Sequence, residues 1–363
     1  MKSEPRLAFV LDALPSLGGA EKVLFTALEI YPQADVFTLI YNKKFFNETP
    51  LADRKVHTSY LDTVPFAQKY HRLFLPFMPR AIESFDLCQY DGIVSFTYAV
   101  AHGIRNSKHV PHLAYTYTPM RYAWTNLNLN GTPTRKNIVV SSLINAFRKW
   151  DIEAASRVDE FAAISQAVVR RIRSAWGREA RLIYPPVETE RFSAQTERDP
   201  YYITVSRLVP HKRIDLLVEA FSKLKLPLVV VGDGPELSHL KSLAGSNVQF
   251  LGYQPESQVE HLLSKARAFV CAAEEDFGIA IVEAQAAGCP VIAYGSGGAL
   301  ESVVENCTGL FFAEQSIESI VNAIKRFEEH YSCLQANEIM INAERFGKQR
   351  FIREFKQFVE SYF

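Results

Sequence analysis

The chain has 363 residues, of which 48% are hydrophobic and 22% are charged. These proportions are close to the average of globular proteins and exclude a disordered chain, a collagen-like chain and a small scaffold held by disulfides. At about 150 residues per domain, the length predicts two domains, each large enough to bury its own core.

Charge is balanced overall, with 40 basic and 40 acidic residues, but it is unevenly distributed. Residues 1–187 have a net charge of +7 and residues 188–363 a net charge of −7. No acidic residue lies between Asp91 and Asp151. This stretch suits an anionic partner such as phosphate groups or a membrane surface, or a face that pairs with the acidic half. Its seven basic residues are Arg105, Lys108, Arg121, Arg135, Lys136, Arg148 and Lys149.

The five cysteines are odd in number, and no two have the CxxC spacing. We therefore expect neither a zinc site nor a disulfide framework, which is typical of a reducing compartment. Cys271 and Cys289 lie in apolar runs, which predicts buried thiols. Because neither a secretory signal nor an apolar run of about 20 residues is found, we expect a cytoplasmic protein without a membrane span.

The first half of the chain predicts alternating strands and helices. After a strand over Leu7–Leu11, apolar residues recur at helical spacing from Ala20 to Leu28. Ser165 is the expected N-cap of a helix over Gln166–Trp176. Pro185-Pro186 is an expected domain boundary, because proline continues neither a helix nor a strand ladder. The other strands predicted in this half are Val36–Ile40, Gly92–Phe96, Leu113–Tyr117, Glu160–Ile164 and Arg181–Tyr184.

The second half repeats this alternation more regularly, for example with a helix over Ile214–Leu224. Strands that are buried on both faces and alternate with helices predict a doubly wound parallel sheet in each half. The fold class is therefore α/β, with two Rossmann-like domains facing a cleft and ligands at the carboxyl ends of the strands. A terminal amphipathic helix is predicted within Phe346–Phe363. The strands predicted in this half are Tyr202–Val205, Leu228–Val231, Val248–Leu251, Ala268–Cys271, Val291–Ala293 and Gly309–Phe312.

Two carboxylates follow the predicted strand that ends at Cys271. Glu275 lies in an acidic loop, and Glu283 lies in the helix that begins near Gly278. Both could accept hydrogen bonds from sugar or ribose hydroxyls. The alternative is that acidic residues are present because they favour a helix start.

The segment Ser206–Arg213 (SRLVPHKR) places three cations between a strand and a helix. Cations are unfavourable at a helix start but suit a diphosphate, with arginine binding in bidentate fashion; a solvated loop is the alternative. Glycine turns at Gly18-Gly19, Val231–Glu236 and Gly295–Gly298 would let the backbone approach a ligand.

Several motifs of other enzyme classes are absent. The sequence has no Asp-x-Asp, no P-loop motif, no Gly-x-Ser-x-Gly and no third glycine of the dinucleotide fingerprint. The nine histidines show no metal-ligand spacing. We therefore predict no metal site.

The motif segments resemble family 4 retaining glycosyltransferases of the GT-B fold, and Glu275 and Glu283 match the E-x7-E motif of that family. The likeness is greatest to bacterial mannosyltransferases that build O-antigen or exopolysaccharide. It implies an acceptor-binding domain over 1–187, a nucleotide-sugar-binding domain over 188–345, and a helix over 346–363 that packs on the first domain. The segments that carry the resemblance are Gly18–Glu21, Thr118–Trp124, Tyr184–Val187, Ser206–Asp215, Val229–Leu237, Phe250–Tyr253 and Ala273–Ile292.

The resemblance also implies the chemistry: metal-independent transfer of mannose from GDP-mannose to a glycan or lipid-linked acceptor, with the leaving phosphate oxygen taking the acceptor proton. No cofactor is expected. The catalytic set would comprise Arg207 and Lys212 at the diphosphate, Glu275 at the sugar hydroxyls, and Tyr117. The remaining donor-binding residues implied are Gly18, Gly19, Ser206, Gly232, Tyr253, Asp276, Phe277, Gly278, Ile279 and Glu283.

The sequence departs from the family pattern on the acceptor side. Relatives commonly have histidine at the positions of Tyr98 and Tyr117; tyrosine also donates a hydrogen bond but stays neutral near pH 7. His102 could substitute, and Arg121 is the further acceptor-side residue. The alternatives are a non-catalytic relative that binds sugar nucleotide, a glycosyltransferase that uses a UDP-sugar, and an epimerase or phosphorylase of the same fold.

A membrane contact is predicted on the first domain. The segment Ile138–Trp150 is apolar and ends with Arg148, Lys149 and Trp150. Basic and aromatic side chains together bind anionic lipid, so we expect a cytoplasmic protein that is peripheral to the inner membrane.

Overall fold

The structure is a computed structural model that describes residues 5–106, 110–124, 138–193, 197–330 and 334–362. It divides into two compact units. Unit 1 contains the described residues up to Pro186 and those from Phe351 onward. Unit 2 contains the described residues from Val187 to Arg350.

Unit 1 is built on a seven-stranded sheet in the order β3-β2-β1-β4-β5-β6-β7. All neighbouring strands are parallel, so the predicted doubly wound parallel sheet is confirmed here. The strands are β1 Leu7–Leu11, β2 Asp35–Thr38, β3 Val56–Thr58, β4 Gly92–Thr97, β5 His112–Thr116, β6 Glu160–Ala163 and β7 Ala180–Leu182.

The helices of unit 1 cover both faces of this sheet in the sequence order that parallel strands require. The predicted helix Gln166–Trp176 is confirmed, and the Ser165 hydroxyl caps it by accepting the backbone N–H of Val168 at 3.1 Å. The helices before the boundary are α1 Gly19–Ile30, α2 Ala67–Tyr70, α3 Met78–Ile82, α4 Arg121–Trp124, α5 Ile138–Ser156 and α6 Gln166–Trp176.

Unit 2 is built on a six-stranded parallel sheet in the order β10-β9-β8-β11-β12-β13. Its strands are β8 Tyr202–Val205, β9 Leu228–Val231, β10 Val248–Gly252, β11 Ala268–Cys271, β12 Val291–Tyr294 and β13 Gly309–Phe312. Its helices are α7 Ile214–Leu224, α8 Leu237–Leu243, α9 Glu256–Lys265, α10 Ile279–Ala286, α11 Ala299–Ser302, α12 Ile317–His330 and α13 Ala336–Glu344.

The last helix, α14 Lys348–Glu360, packs on the sheet of unit 1. Phe351 and Phe355 are fully buried, and their rings lie 5.8 and 5.9 Å from those of Tyr115 and Phe96. Burying two aromatic side chains contributes several kcal/mol, roughly 2 to 3 for each ring. Among the described residues, no helix is both long and apolar enough to cross a membrane.

Apolar strands form the centre of each unit. In unit 2, the ring of Tyr202 on β8 lies 4.9 Å from that of Phe221 on α7.

The prediction of buried thiols is confirmed for Cys271 and Cys289, and burial raises the pKa of each to about 12. Both thiols therefore stay protonated and act as small apolar groups.

A buried polar cluster lies beneath the sheet of unit 1. The Asp151 carboxylate accepts the indole N–H groups of Trp124 and Trp176, each at 2.6 Å. Its other oxygen lies 3.1 Å from Nε2 of His102, and Nδ1 of His102 lies 3.1 Å from the Thr97 hydroxyl. The expectation that His102 serves the acceptor side is therefore corrected, because its ring is fully buried and both nitrogens contact side chains of the interior.

Two of the three residues named for the predicted basic and aromatic surface on α5 make hydrogen bonds within unit 1. The Arg148 Nε donates to the carbonyl of Ala123 at 2.6 Å, and the Trp150 indole N–H donates to Glu83 at 2.8 Å. Both side chains are half-buried, and only Lys149 is exposed. Of the other basic residues in that stretch, Lys108, Arg135 and Lys136 lie outside the described residues.

His112 should make the stability of unit 1 depend on pH. Burial, together with the charges of His102 and Arg157, lowers its pKa from 6.5 to about 3. Between these two values the unfolded chain binds a proton that the folded chain does not. The free energy of unfolding should therefore decrease as the pH falls below 6.5, by up to about 1.4 kcal/mol per pH unit.

Urea unfolding of the full chain at a series of pH values measures this effect. Since Ser95 is the hydrogen-bond partner of the His112 ring at 3.0 Å, His112→Gln keeps a polar group beside it and removes the titration. This variant should show a flatter pH dependence than the unaltered chain. Equal pH dependence in the two proteins would contradict the assignment.

Candidate functional site

The sheet of unit 2 reverses its winding between β8 and β11. These strands are neighbours in the sheet although two other strands separate them in the chain. The connections that leave their carboxyl ends therefore run to opposite faces, and a crevice opens between them. The predicted charged loops lie here: Ser206–Lys212 follows β8, and Glu275 follows β11.

A two-pronged ion pair joins the two loops across this crevice. The Nζ of Lys212 lies 2.6 and 2.7 Å from the two carboxylate oxygens of Glu275. The side chains are 21% and 17% exposed, so water and a ligand can reach both charges. Arg213 follows Lys212 with a φ of +51° and pairs with Asp215 at 3.1 Å, which fixes the turn that presents Lys212.

Glycines bring the loops of this crevice into backbone contact. A Cβ on Gly232 would lie 1.9 Å from the carbonyl oxygen of Ser206, and a Cβ on Gly297 would lie 2.2 Å from that of Glu275. Both also have positive φ, of +128° and +64°. Glycine is therefore required at both positions for neighbouring turns to pack closely, since a side chain at either position would push the loops apart.

The segment from Asp276 to Ile279 forms the turn into α10. Gly278 has a φ of +88°, which favours glycine, and Asp276 and Ile279 are partly exposed. The ring of Phe277 is buried and lies 5.4 Å from that of Phe346, so only its backbone can face the crevice.

Two other predicted residues lie at strand ends beside these loops. Arg207 follows Ser206, and its side chain is exposed. Tyr253 follows β10 and is 77% exposed. The turn before it is held by the N–H of Gly232, which donates to the carbonyl of Gly252 at 2.8 Å.

Glu283 lies at the fifth position of α10 and is held by Arg191, which no sequence motif indicates. The Arg191 guanidinium lies 3.1 Å from Glu283 and 3.4 Å from Glu260, and it also pairs with Glu256. Its plane covers the ring of Phe192, with 4.7 Å from the guanidinium carbon to the ring centroid. Arg191 therefore fixes α9, α10 and the first turn of unit 2 to one another.

The sheet of unit 1 reverses its winding in the same manner, between β1 and β4. Here the side chain of Asp12, which follows β1, fills the crevice. Its carboxylate accepts hydrogen bonds from four backbone N–H groups after β4, those of Tyr98, Ala99, Val100 and Ala101. Burial raises the pKa of Asp12, while these N–H groups oppose the shift. The reversal point of unit 1 is thus occupied by the protein itself.

The two tyrosines of the acceptor-side prediction hold the segment between β1 and α1. The Tyr117 hydroxyl donates to the carbonyl of Ala20 at 2.9 Å, and the Tyr98 hydroxyl donates to that of Ala13 at 3.4 Å. Burial raises the pKa of Tyr117 well above 10, so this hydroxyl remains a donor at neutral pH. Gly18 and Gly19 lie between these two anchors, at the start of α1.

Arg121 begins the short helix α4 and is half-buried. Within the part of the chain that the structure describes, no three His, Cys, Asp or Glu side chains are grouped as metal ligands.

Comparison with known proteins finds similarity to glycosyltransferases over part of the chain. Residues 187–346 match the family described as glycosyl transferases group 1. One similar relative is the GDP-mannose-dependent α-(1-6)-phosphatidylinositol monomannoside mannosyltransferase of Mycobacterium tuberculosis, with 35% identity over 198 residues. The match covers 46% of this chain and 51% of the relative, so it spans about half of each.

Solved structures of other proteins share the fold over nearly the whole length of this chain. Sucrose-phosphate synthase of Thermosynechococcus elongatus superposes with a TM-score of 0.79 at 17% identity, over 98% of both chains. HepE of Anabaena in complex with UDP and glucose superposes with a TM-score of 0.72 at 19% identity, over 98% of this chain and all of that one. The fold is that of the GT-B glycosyltransferases, as the sequence resemblance predicts.

Removing Arg191 should loosen unit 2. Arg191→Met leaves Glu256, Glu260 and Glu283 near one another without their cation. Losing hydrogen bonds to charged groups should lower the free energy of unfolding by about 2 kcal/mol. Urea unfolding measures the change, with Arg267→Met as the control, because Arg267 forms an ion pair with Glu328 elsewhere in unit 2. An equal loss in both variants would contradict a special role for Arg191.

Proposed function

We propose that the chain is a retaining hexosyltransferase that moves mannose from GDP-mannose to a saccharide or lipid-linked acceptor. The observation that carries this proposal is the Lys212–Glu275 pair at the reversal point of unit 2. An anionic diphosphate can take Lys212 from Glu275, and the released carboxylate can then accept hydrogen bonds from sugar hydroxyls. The relative from M. tuberculosis is described as GDP-mannose-dependent, which supports the choice of donor.

Unit 2 supplies the groups that would bind the donor. Arg207 and Lys212 would bind the diphosphate and stabilise the negative charge that develops on it as the glycosidic bond breaks. Glu283, oriented by Arg191, would accept hydrogen bonds from the ribose. The backbone of Asp276–Gly278 and the exposed ring of Tyr253 would complete the contacts to the sugar and nucleotide.

The proposed step needs no group beyond donor and acceptor. The bond between the anomeric carbon and the leaving phosphate oxygen breaks, and a bond from that carbon to the acceptor oxygen forms on the same face of the sugar. The proton of the acceptor hydroxyl moves to the leaving phosphate oxygen. Charge develops on the diphosphate, next to Arg207 and Lys212, so these side chains stabilise the transition state more than the ground state.

We also propose that the reaction takes place at a membrane surface. The name of the relative from M. tuberculosis gives phosphatidylinositol monomannoside as its acceptor, which is a lipid. An acceptor of this class stays in a bilayer and presents its sugar at the surface, so the enzyme has to work from there.

The donor can be identified by thermal unfolding with GDP, UDP, ADP and their sugar conjugates. A ligand that binds only the folded chain stabilises it by about 2.7 kcal/mol at a concentration of about 100 times its Kd. We expect a selective rise in Tm with GDP and GDP-mannose. A rise with UDP compounds instead would reject mannose transfer from GDP, and no rise with any nucleotide would reject donor binding altogether.

Substitutions in the ion pair should separate diphosphate binding from transfer. Glu275→Ala should abolish transfer and still bind nucleoside diphosphate at least as tightly, because Lys212 loses its internal partner. Lys212→Ala should weaken nucleoside diphosphate binding by about 1.5 to 3 kcal/mol. Calorimetric titration and a transfer assay measure the two effects. Glu328→Ala breaks the remote pair with Arg267 and is the control; near-normal transfer by Glu275→Ala would refute the donor-site assignment.

A further inference from the structure

The chain between β3 and β4 is apolar on two sides. On its inner side, Ala67 and Met78 are buried in the core of unit 1, and Phe74 and Leu75 pack against that core. On its outer side, Phe66, Tyr70, Leu73 and Phe77 are each at least 47% exposed. Phe66 precedes α2, Tyr70 is its last residue, and Leu73 and Phe77 lie in the 3₁₀ segment His71–Phe77 that follows.

This outer side is unusual for a surface helix. A helix that lies on a core is normally apolar towards the core and polar towards water, and a group of large exposed apolar side chains marks an interaction surface. Phe66 is 76% exposed and has a φ of +62°, a conformation that is strained for an aromatic residue. Strain combined with exposure of this kind is typical of a functional surface.

A cavity extends the outer side towards the strand ends of unit 1. It has a volume of about 640 Å³ and is lined by Phe45 and Phe66 together with the polar side chains of Asn42, Asp62 and Gln68. Phe45 is itself half exposed. We refer to Phe45, Phe66, Tyr70, Leu73 and Phe77 as the apolar face.

Three exposed cations flank the apolar face, and the carboxylate of Asp62 lies in the cavity beside it. Lys43 and Lys44 flank Phe45, Arg80 follows Phe77, and the side chains of all three cations are exposed. Between Asp62 and Glu83 the sequence has three basic residues and no acidic one. Exposed aromatic rings bordered by cations complement an anionic bilayer: the rings enter the interfacial region and the cations attract the headgroups.

We propose that the apolar face docks unit 1 on an anionic lipid bilayer. The cavity would then open beside the lipid headgroups, with Phe45 and Phe66 at the membrane side and Asn42, Asp62 and Gln68 on its polar side. Asp62 also accepts a hydrogen bond from the backbone N–H of Tyr41, and Gln68 donates one to the carbonyl of Tyr41, which fixes their positions. The docking surface therefore combines the β3–β4 connection with Lys43–Phe45 of the β2–β3 connection. The inference extends the proposed action at a membrane surface, but lipid binding itself requires neither donor nor transfer.

Cosedimentation of the full chain with vesicles tests the proposal. Vesicles of equal parts phosphatidylglycerol and phosphatidylcholine should bind the chain, whereas pure phosphatidylcholine and high salt should weaken binding. The double variant Leu73→Ser/Phe77→Ser should bind about tenfold more weakly for each side chain removed. Lys43→Gln/Lys44→Gln should lose about fivefold for each cation.

Two further variants test whether weaker binding results from unfolding or from the loss of any exposed apolar side chain. Phe66→Asn suits the left-handed backbone at that position, so it should keep the fold and still weaken binding about tenfold. Ile341→Ser removes a side chain that is 63% exposed on α13 in unit 2, and it should bind vesicles as the unaltered chain does. Circular dichroism confirms the fold of each variant.

Three results would overturn the proposal. They are no binding of the unaltered chain to anionic vesicles, unchanged binding by the folded Leu73→Ser/Phe77→Ser and Phe66→Asn variants, and a dimer of the chain that Leu73→Ser/Phe77→Ser dissociates without any effect on vesicles. Since the assay contains no sugar nucleotide or acceptor, a failure of lipid docking is distinguishable from a failure of the proposed transfer.

Discussion

Each unit depends on how it closes the point where its parallel sheet reverses winding. The two loops that leave this point diverge, and the polar groups between them need partners from within the protein or from a ligand. In unit 1, Asp12 supplies the partner, with a carboxylate that accepts four backbone N–H groups and is only 1% exposed. In unit 2, Lys212 and Glu275 are each other's ion-pair partners, and both side chains remain within reach of water. The first arrangement is a fixed part of the fold, whereas the second consists of charges that a ligand's own charges can replace.

The backbone of the loops that carry Lys212 and Glu275 is held in place by close packing. Gly232 packs on the backbone after β8, and Gly297 packs on the backbone after β11. Arg191 adds a side-chain brace that ties α9 to α10. A site whose backbone is already in place loses little conformational entropy when a ligand binds, so most of the interaction energy is kept for binding. In the proposed donor site, the groups that adjust on binding would be side chains, chiefly Lys212, Glu275 and Tyr253.

The sequence predicts the framework well because buried parallel strands leave continuous apolar runs. The strand Tyr202–Val205 has its predicted bounds for this reason, whereas Val56–Thr58 was missed because it is a three-residue edge strand without such a run. Pairs of side chains from distant parts of the chain cannot be predicted from sequence patterns. Arg191 and Glu283, for example, form an ion pair although they are 92 positions apart. The burial of His102 was equally hidden, since histidine occurs both in interiors and at sites.

The buried cluster around Asp151 has a spectroscopic consequence. The chain has three tryptophans, Trp124, Trp150 and Trp176, and all of them belong to unit 1. Two donate their indole N–H to Asp151, and the third packs 6.0 Å from His102, so one polar cluster determines their common environment. Intrinsic tryptophan fluorescence therefore reports on unit 1 alone. The melting of this half of the molecule can be followed without a label, separately from that of unit 2.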